Sequence, residues 1–152
     1  MSNALLTDYA NTVKDFLAIA NEIAPGDLLK TPKAGEWSAG FVVHHMADAE
    51  VHFASRFLNA LAENQPKIVP FNEDVYPTAL SYAKRDVSAS METLKSLSAF
   101  INSLLTNIDE VTWSRKSIHP ENGEMTITDI LAKVISHYKA HTNQLREIKE
   151  SL

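Results

Sequence analysis

The sequence contains no cysteine among its 152 residues. Disulfide bonds, thiolate zinc sites and cysteine nucleophiles are therefore excluded. A metal ion bound by this chain would have to be held by histidine, aspartate or glutamate side chains. The absence of thiols thus restricts the candidate metal chemistry to nitrogen and oxygen ligands.

Glycine is scarce, with only 4 residues, whereas 45% of all residues are hydrophobic. This composition favours long helices over a turn-rich β architecture. At 152 residues the chain is also long enough to bury a hydrophobic core without covalent cross-links. We therefore expect one all-α domain that spans residues 1–152.

Dense runs of lysine or arginine are absent, and the net charge is -5. This charge argues against binding through neutralised phosphates, so no nucleic-acid partner is expected. No apolar run approaches the length of a membrane span, so no membrane partner is expected. The first residues, Met1 to Leu6, lack the basic and apolar regions of a signal peptide. These absences together predict a cytoplasmic protein.

Apolar residues recur at helical spacings of three and four in four long segments. The predicted helices cover about residues 3–24, 38–63, 78–107 and 127–152. Ser38 is the predicted N-cap of the second helix, with Trp37 packing over its first turn. Thr126 to Asp129 carry a capping signal for the fourth helix. Four long helices predict a four-helix bundle.

Two long loops separate the predicted helices 2–3 and 3–4. Residues 64–77 contain three prolines and no helical period. A loop of this length in a compact domain is usually functional or mobile, so we expect it to form a pocket rim. Its predicted substrate contacts are Phe71, Asn72, Glu73 and Tyr76. The second loop, residues 107–125, is predicted to be irregular with a turn near Gly123, and strands are expected only within these loops.

The six histidines are the candidate metal ligands of this sequence. His137 and His141 lie four residues apart on one face of the predicted fourth helix, close enough to hold one metal ion. His45 lies on the side of the second helix that should face the bundle. A buried imidazole whose polar atoms have no partner destabilises the fold by on the order of 1–3 kcal/mol. One shared metal ion would give all three rings a partner. The alternative is that each histidine is only a hydrogen-bonded polar group of the core.

Three neutral imidazoles suit Zn, Ni, Fe or Cu and leave at least one coordination position for water or substrate. An open position is typical of a catalytic site rather than a structural one.

The other three histidines are not expected to bind the same ion. His44 points about 100° away from His45 around the helix, so we assign it to the flank of the bundle. His52 lies about 10 Å from His45 along the axis, and would form a hydrogen bond in the core or line the pocket. His119 is expected to anchor its loop through a hydrogen bond.

Three further polar residues near the site have open roles. Asp48 and Glu50 could act as hydrogen-bond acceptors or bases, but we expect them to be solvated carboxylates on the helix surface. Gln144 follows His137 by two helical turns and could orient a bound molecule; a surface amide is the alternative. The residues themselves assign no catalytic group.

These motifs together resemble a known family over essentially the whole chain. In order, they are Trp37-Ser38, His45-Met46 with Asp48 and Glu50, His119-Pro120 with Gly123, and His137-x3-His141-x2-Gln144. This pattern resembles the DinB-like family of four-helix-bundle metalloproteins. The resemblance implies that His45, His137 and His141 bind a divalent metal ion, nickel or zinc first, with iron, manganese or copper as alternatives. It also implies a homodimer and a structural role for His119.

The resemblance also implies a range of functions, because characterised members include S-transferases and an isomerase that use low-molecular-weight thiols such as bacillithiol or mycothiol. It therefore suggests a metal-dependent enzyme that activates such a thiol or water, of the S-transferase or hydrolase type, acting on a small molecule. The alternative is a non-catalytic, stress-related or structural metal-binding bundle. One departure weakens the transferase interpretation: the neighbours of His141 lack the additional aromatic and histidine residues of the thiol transferases.

Overall fold

The fold was obtained as a computed structural model that describes residues 2–152. Met1, at which the predicted domain begins, lies outside the described residues. The elements are, in chain order, α1 (Ser2–Glu22), α2 (Ala39–Ala62), α3 (Tyr76–Ala79), α4 (Val87–Thr106), α5 (Glu110–Trp113), β1 (Lys116–His119), β2 (Gly123–Thr126) and α6 (Ile127–Ser151). The four long helices α1, α2, α4 and α6 form a bundle, which confirms the predicted all-α, four-helix-bundle fold.

The order of the helices around the bundle differs from their order along the chain. Helix α6 packs against both α1 and α2, and α4 also packs against both α1 and α2. Consecutive helices α1 and α2 therefore lie across the bundle from each other. This arrangement makes α2 and α6 direct neighbours, although about 65 residues of chain separate the end of one from the start of the other.

The core lies between the four long helices and is closed by aromatic and aliphatic side chains. Its largest fully buried members include Tyr9, Phe16, Phe57, Leu94, Ile101, Leu131 and Tyr138. Within residues 2–152, no helix is long and apolar enough to cross a membrane.

Capping interactions fix where α2 and α6 begin. The Ser38 hydroxyl accepts a hydrogen bond from the Phe41 N–H at 3.3 Å. At α6, the Thr126 hydroxyl accepts from the Asp129 N–H at 3.1 Å, and the Asp129 carboxylate accepts from the Thr126 N–H at 2.8 Å. Such reciprocal bonds satisfy two amides that the helix itself leaves unpaired. Both predicted helix starts are confirmed.

The prediction of one continuous third helix over residues 78–107 is wrong. The chain forms the short helix α3, leaves helical geometry at Ser81, which has a φ of 53°, and resumes as α4 at Val87. The Asp86 carboxylate caps α4 by accepting a hydrogen bond from the Ser88 N–H at 2.9 Å. A left-handed serine followed by an N-cap ends one helix and starts another without proline or glycine.

Residues 107–125 are more regular than predicted, because they contain α5 and an antiparallel β-hairpin. In the hairpin, Lys116 pairs with Thr126, and His119 pairs with Gly123, whose φ of 71° suits the turn. The loop that follows α2 binds to this hairpin: the Ile68 N–H donates to the Ile118 carbonyl at 2.8 Å. The hairpin therefore holds the loop of residues 64–77 against one end of the bundle.

Candidate metal centre

Helix α2 places His45 inside the bundle through close packing near its first turn. The Gly40 N–H donates to the Leu28 carbonyl at 2.8 Å, and a Cβ at Gly40 would lie 3.0 Å from that oxygen. Glycine at this position therefore allows the preceding loop to pack directly on α2. One turn further on, His45 is fully buried, and its ring lies 5.2 Å from that of Trp37.

Helix α6 presents His137 and His141 on successive turns, facing His45 across the α2–α6 contact. The Nε2 atoms of His45 and His137 are 2.9 Å apart, and those of His137 and His141 are 3.0 Å apart. The rings are inclined to one another by 61–87°, so they converge edge-on rather than stack. The structure thus brings the three predicted histidines together at one point, with one ligand atom from each within 4.8 Å of the others.

Burial keeps two of these imidazoles neutral. Desolvation is the main cause that lowers the pKa of His45 to about 4 and that of His137 to about 3, with a further contribution from His141 to each. Both rings are therefore uncharged at neutral pH. A neutral imidazole offers a nitrogen lone pair, which is the form that binds a metal ion.

Gln144 determines the tautomer of the third ring. The His141 Nδ1 lies 2.7 Å from the Gln144 Oε1. Because an amide oxygen can only accept, the Nδ1 carries the proton, and the His141 Nε2 directs its lone pair toward the other two histidines. Metal-binding histidines commonly donate their other N–H to such an acceptor. The open role of Gln144 is thereby resolved as a hydrogen-bond partner of His141.

The residues present fit a divalent metal ion. The His137 Nε2 lies 2.9 Å from the His45 Nε2 and 3.0 Å from the His141 Nε2. Because Gln144 holds the His141 proton on Nδ1, the His141 Nε2 can only accept, and neutral rings can satisfy at most one of these two contacts with a well-directed hydrogen bond. The buried Nδ1 atoms of His45 and His137 also have no hydrogen-bond partner among the residues that the structure describes. One shared cation would replace the lone-pair contacts with three attractive ones.

Two cavities adjoin the triad. The larger, about 620 Å³, is lined by His141 and Gln144 together with Pro32, Lys33, Glu36, Trp37, Glu73, Glu147, Ile148 and Ser151. The smaller, about 330 Å³, reaches His137. Glu73 lines both, and its Oε2 lies 3.5 Å from the His45 Nε2. The two cavities therefore give small molecules access to His141 and to His137, respectively.

The loop of residues 64–77 covers this end of the bundle. Phe71 and Glu73 line the smaller cavity, whereas the Asn72 side chain caps the turn that follows it, and the Tyr76 hydroxyl bonds to the His52 ring at 2.8 Å. Their predicted role as substrate contacts stays a prediction.

The assignment of His44 to the flank is wrong. His44 is fully buried, and its Nδ1 lies 2.8 Å from the hydroxyl of Ser90 on α4. The cause is that α2 is covered on most of its surface, so a rotation of 100° around the helix leads to another helix rather than to solvent.

The expectation that Asp48 and Glu50 are solvated is also wrong. Asp48 accepts a hydrogen bond from the Tyr82 hydroxyl at 2.6 Å and forms an ion pair with Arg85 at 2.7 Å. Glu50 is 1% exposed and accepts a hydrogen bond from the Tyr9 hydroxyl of α1. Desolvation raises the pKa of Glu50 to about 7. Neither carboxylate belongs to the candidate metal centre.

The remaining histidines take the structural roles that were expected. His52 stacks on Phe71 with ring centroids 4.3 Å apart. The His119 Nδ1 accepts hydrogen bonds from the N–H groups of Glu121 and Asn122 at 3.1 and 3.2 Å, and so anchors its turn. Lys133, which lines the smaller cavity from an exposed position on α6, was not predicted from any sequence pattern.

Fold and site together define a helical-bundle protein with a three-histidine centre suited to a divalent metal ion. Residues 9–145 match the DinB superfamily. The chain belongs to this superfamily, as its sequence motifs predicted.

Curated relatives carry names that describe metal-dependent enzymes. A protein of Bacillus mycoides, named as a proposed metal-dependent hydrolase, is 30% identical over 125 residues, covering 82% of this chain and 72% of the relative. YfiT of Bacillus subtilis, with the same descriptive name, is 27% identical over 135 residues, covering 88% and 76%.

Solved structures share the fold. YfiT, described as a probable metal-dependent hydrolase with an unusual four-helix-bundle topology, superimposes with a TM-score of 0.88 at 21% identity, covering 98% of this chain and 86% of YfiT. A mycothiol-dependent maleylpyruvate isomerase gives a TM-score of 0.78 at 12% identity, covering 95% of this chain and 60% of the isomerase. At these identities the structures establish the likeness of fold alone.

Proposed function

We propose that this protein is a metal-dependent enzyme in which His45, His137 and His141 bind one divalent ion through their Nε2 atoms. Its reaction would be of the hydrolase or S-transferase type, on a small-molecule substrate. The observation that carries the proposal is the convergence of three Nε2 atoms beside two cavities. Three protein ligands with an accessible remaining position are typical of a catalytic rather than a closed structural site.

The chain's own residues prepare this centre. Burial keeps the His45 and His137 rings neutral, and Gln144 holds the His141 proton on Nδ1. When bound, a divalent ion lowers the pKa of water or of a thiol and so supplies a nucleophile near neutral pH. Glu73 lies where both cavities meet the triad, and we assign its carboxylate the role of accepting the proton of the nucleophile.

The similar proteins support both candidate nucleophiles, water and a thiol. Water is the nucleophile that the hydrolase names of the curated relatives imply. A thiol is supported by the fold shared with the mycothiol-dependent isomerase. Zinc or nickel is the proposed ion, with iron, manganese and copper as the other candidates, because imidazole ligands suit several of these ions.

Metal analysis tests the proposal. Protein purified without a histidine tag and without chelators should contain about one divalent ion per chain. The double variant His137→Ala, His141→Ala should lose it, whereas His52→Ala, which removes a histidine outside the triad, should retain it. Metal content that is the same in the double variant as in the wild type would contradict the ligand assignment.

Visible spectroscopy of a cobalt-substituted protein distinguishes three hypotheses: a thiol nucleophile, a water nucleophile and a non-catalytic metal site. Addition of a small thiol such as 2-mercaptoethanol should change the visible spectrum if the open position accepts sulfur. A spectrum that stays unchanged would exclude thiol transfer and leave hydrolysis. A stress-related bundle with a structural ion would show neither thiol binding nor any hydrolysis.

We also propose that residues 1–152 act as one domain, in a homodimer, in the cytoplasm. The single helical core and the family resemblance support the first two points, and the composition supports the third. Light scattering coupled to gel filtration should give twice the mass of the 16.9 kDa chain; a monomer mass would contradict the dimer.

A further inference from the structure

Arg56 is a half-buried guanidinium that lacks a carboxylate partner. It lines the smaller cavity, and within the part of the chain that the structure describes no acidic side chain forms an ion pair with it. Among residues 2–152 it makes one hydrogen bond, a long one from Nη2 to the Val69 carbonyl at 3.3 Å, and its buried Nε has no partner there. A guanidinium has five N–H donors, so most of its capacity to bind an anion is unused.

Aromatic rings hold this guanidinium beside the triad. The Arg56 Cζ lies 4.9 Å from the centre of the Phe53 ring and 5.9 Å from that of Phe71. The Phe53 ring is in turn 6.2 Å from the His137 ring. Stacking on two rings restricts the rotamers of the arginine, so its donors are preorganised for a planar or tetrahedral anion.

Two further donors line the same cavity. Lys133 comes from α6, one turn before His137, and forms no ion pair among the described residues. His119 uses its Nδ1 to accept two backbone hydrogen bonds, so the neutral ring carries its proton on Nε2. Arg56, Lys133 and His119 thus surround one space. Desolvation, followed by the nearby charges of Lys133 and Arg56, lowers the pKa of His119, which fits a neutral ring.

The acidic side chains of the two cavities are distributed unequally. The smaller cavity contains Glu73 and Glu121, both exposed and neither within ion-pair distance of Arg56 or Lys133. The larger cavity contains Glu36, Glu73 and Glu147 against the single cation Lys33. An anionic group would therefore be disfavoured in the larger cavity and favoured in the smaller one.

We propose that Arg56, Lys133 and His119 form a binding site for an anionic group of the substrate, a carboxylate or a phosphate, next to His137. This inference rests on the proposed function, since it names the class of substrate that the same centre would act on. The anion would bind in the smaller cavity and direct the adjoining part of the substrate toward the triad. The site would then select anionic substrates over neutral ones of the same size.

Titration calorimetry of the purified full-length protein tests the site, with succinate, inorganic phosphate and the neutral analogue succinamide as separate probes. We expect saturable binding of at least one of the two anions, and binding of succinamide at least about tenfold weaker. The preferred anion distinguishes a carboxylate from a phosphate substrate. Absence of saturable binding by both anions, or equal binding of succinamide, would overturn the proposal.

Matched variants locate the bound anion. Arg56→Gln should weaken anion binding at least about tenfold and Lys133→Gln by a smaller factor, whereas the exposed controls Arg146→Gln and Lys95→Gln should leave it unchanged. Arg56→Lys, which keeps the charge but loses the planar fork, should be intermediate. Lys133 is exposed, so its variant should fold even if Arg56→Gln does not. Unchanged binding in Lys133→Gln and in each folded Arg56 variant would overturn the proposal.

Metal content, measured on the same samples, separates this inference from the proposed function. Arg56→Gln should keep the metal content of the wild type; a loss of metal would mean that Arg56 supports the metal centre rather than an anion. A protein that lacks metal yet binds succinate through Arg56 would contradict the proposed function and retain the anion site. A protein that contains metal but binds the anion equally well without Arg56 would retain the proposed function and contradict the anion site.

Discussion

The His141 Nδ1 and the Gln144 Oε1 are 2.7 Å apart, one helical turn from each other on α6. This bond presents the His141 Nε2 to the other two imidazoles as a lone pair rather than as an N–H group. Of the three histidines, His141 is the one whose remote nitrogen has a side-chain partner in the structure, since the Nδ1 atoms of His45 and His137 are unpaired. The affinity of this centre for a metal ion should therefore depend on Gln144.

Replacing Gln144 by alanine should weaken metal binding by about 10- to 100-fold, because the His141 ring loses its orientation and its tautomer. The measurement is competition for zinc with a chelator of known affinity. Gln144→Glu keeps an acceptor at the same place and should bind zinc at least as tightly as the wild type. If both variants bind zinc as tightly as the wild type, Gln144 has no role in the centre.

Replacing Glu73 by glutamine should slow hydrolysis of an activated ester such as p-nitrophenyl acetate by about 10²- to 10⁴-fold, because the amide cannot accept the proton of the nucleophile. Metal content should not change. Glu150→Gln, which replaces an exposed carboxylate near the end of α6, serves as the control and should retain the wild-type rate. Equal rates in the two variants would exclude Glu73 as the proton acceptor.

The helix faces on which the three histidines lie could be predicted, because the spacing of residues along a helix determines which side chains share a face. A spacing of four residues places His137 and His141 on one helix face in any helical fold, and the apolar pattern of α2 turns His45 inward. Glu73 was expected at the pocket rim, but its approach to the His45 Nε2 at 3.5 Å was not predicted. The cavity that Arg56 of α2 and Lys133 of α6 share is completed by Phe71 and His119. It therefore depends on how residues 64–77 dock on the β-hairpin, and this long-range contact leaves no periodic pattern in the sequence.

The errors have physical causes of the same kind. The break at Ser81 could not be predicted, because serine carries no strong preference for a left-handed conformation and no proline or glycine marks the site. Glu50 was expected in solvent, but its partner Tyr9 comes from α1, across the bundle. Helix order within a bundle determines such contacts, and helix periodicity does not specify that order.

Replacing Ser90 by alanine should destabilise the fold by about 1–3 kcal/mol, because the buried His44 Nδ1 loses its partner at 2.8 Å. Urea denaturation followed by circular dichroism gives this difference. Metal content should stay at the wild-type value, since His44 lies outside the triad. Ser98→Ala removes an exposed hydroxyl of the same helix and should change stability by less than about 0.5 kcal/mol. A Ser90 variant as stable as this control would show that the His44–Ser90 bond contributes little.

Glu50 should make the stability of the fold depend on pH. Desolvation, the largest cause, raises its pKa from 4.5 to about 7 in the folded protein, while the hydrogen bond from Tyr9 acts in the opposite direction. Between these two values the folded state binds more protons than the unfolded state, so the free energy of unfolding decreases as the pH rises. The decrease should be on the order of 1 kcal/mol per pH unit at most and should level off above pH 7.

Glu50→Gln should abolish this component of the pH dependence, because an amide does not titrate. The measurement compares the free energy of unfolding of the variant and the wild type at several pH values from 4.5 to 8, with metal content held constant. The stability of the variant relative to the wild type should increase with pH across this window. A constant difference between the two proteins would mean that Glu50 has the same pKa in the folded and unfolded states, and that the Tyr9 hydroxyl and the surrounding core stabilise its charge as well as water does.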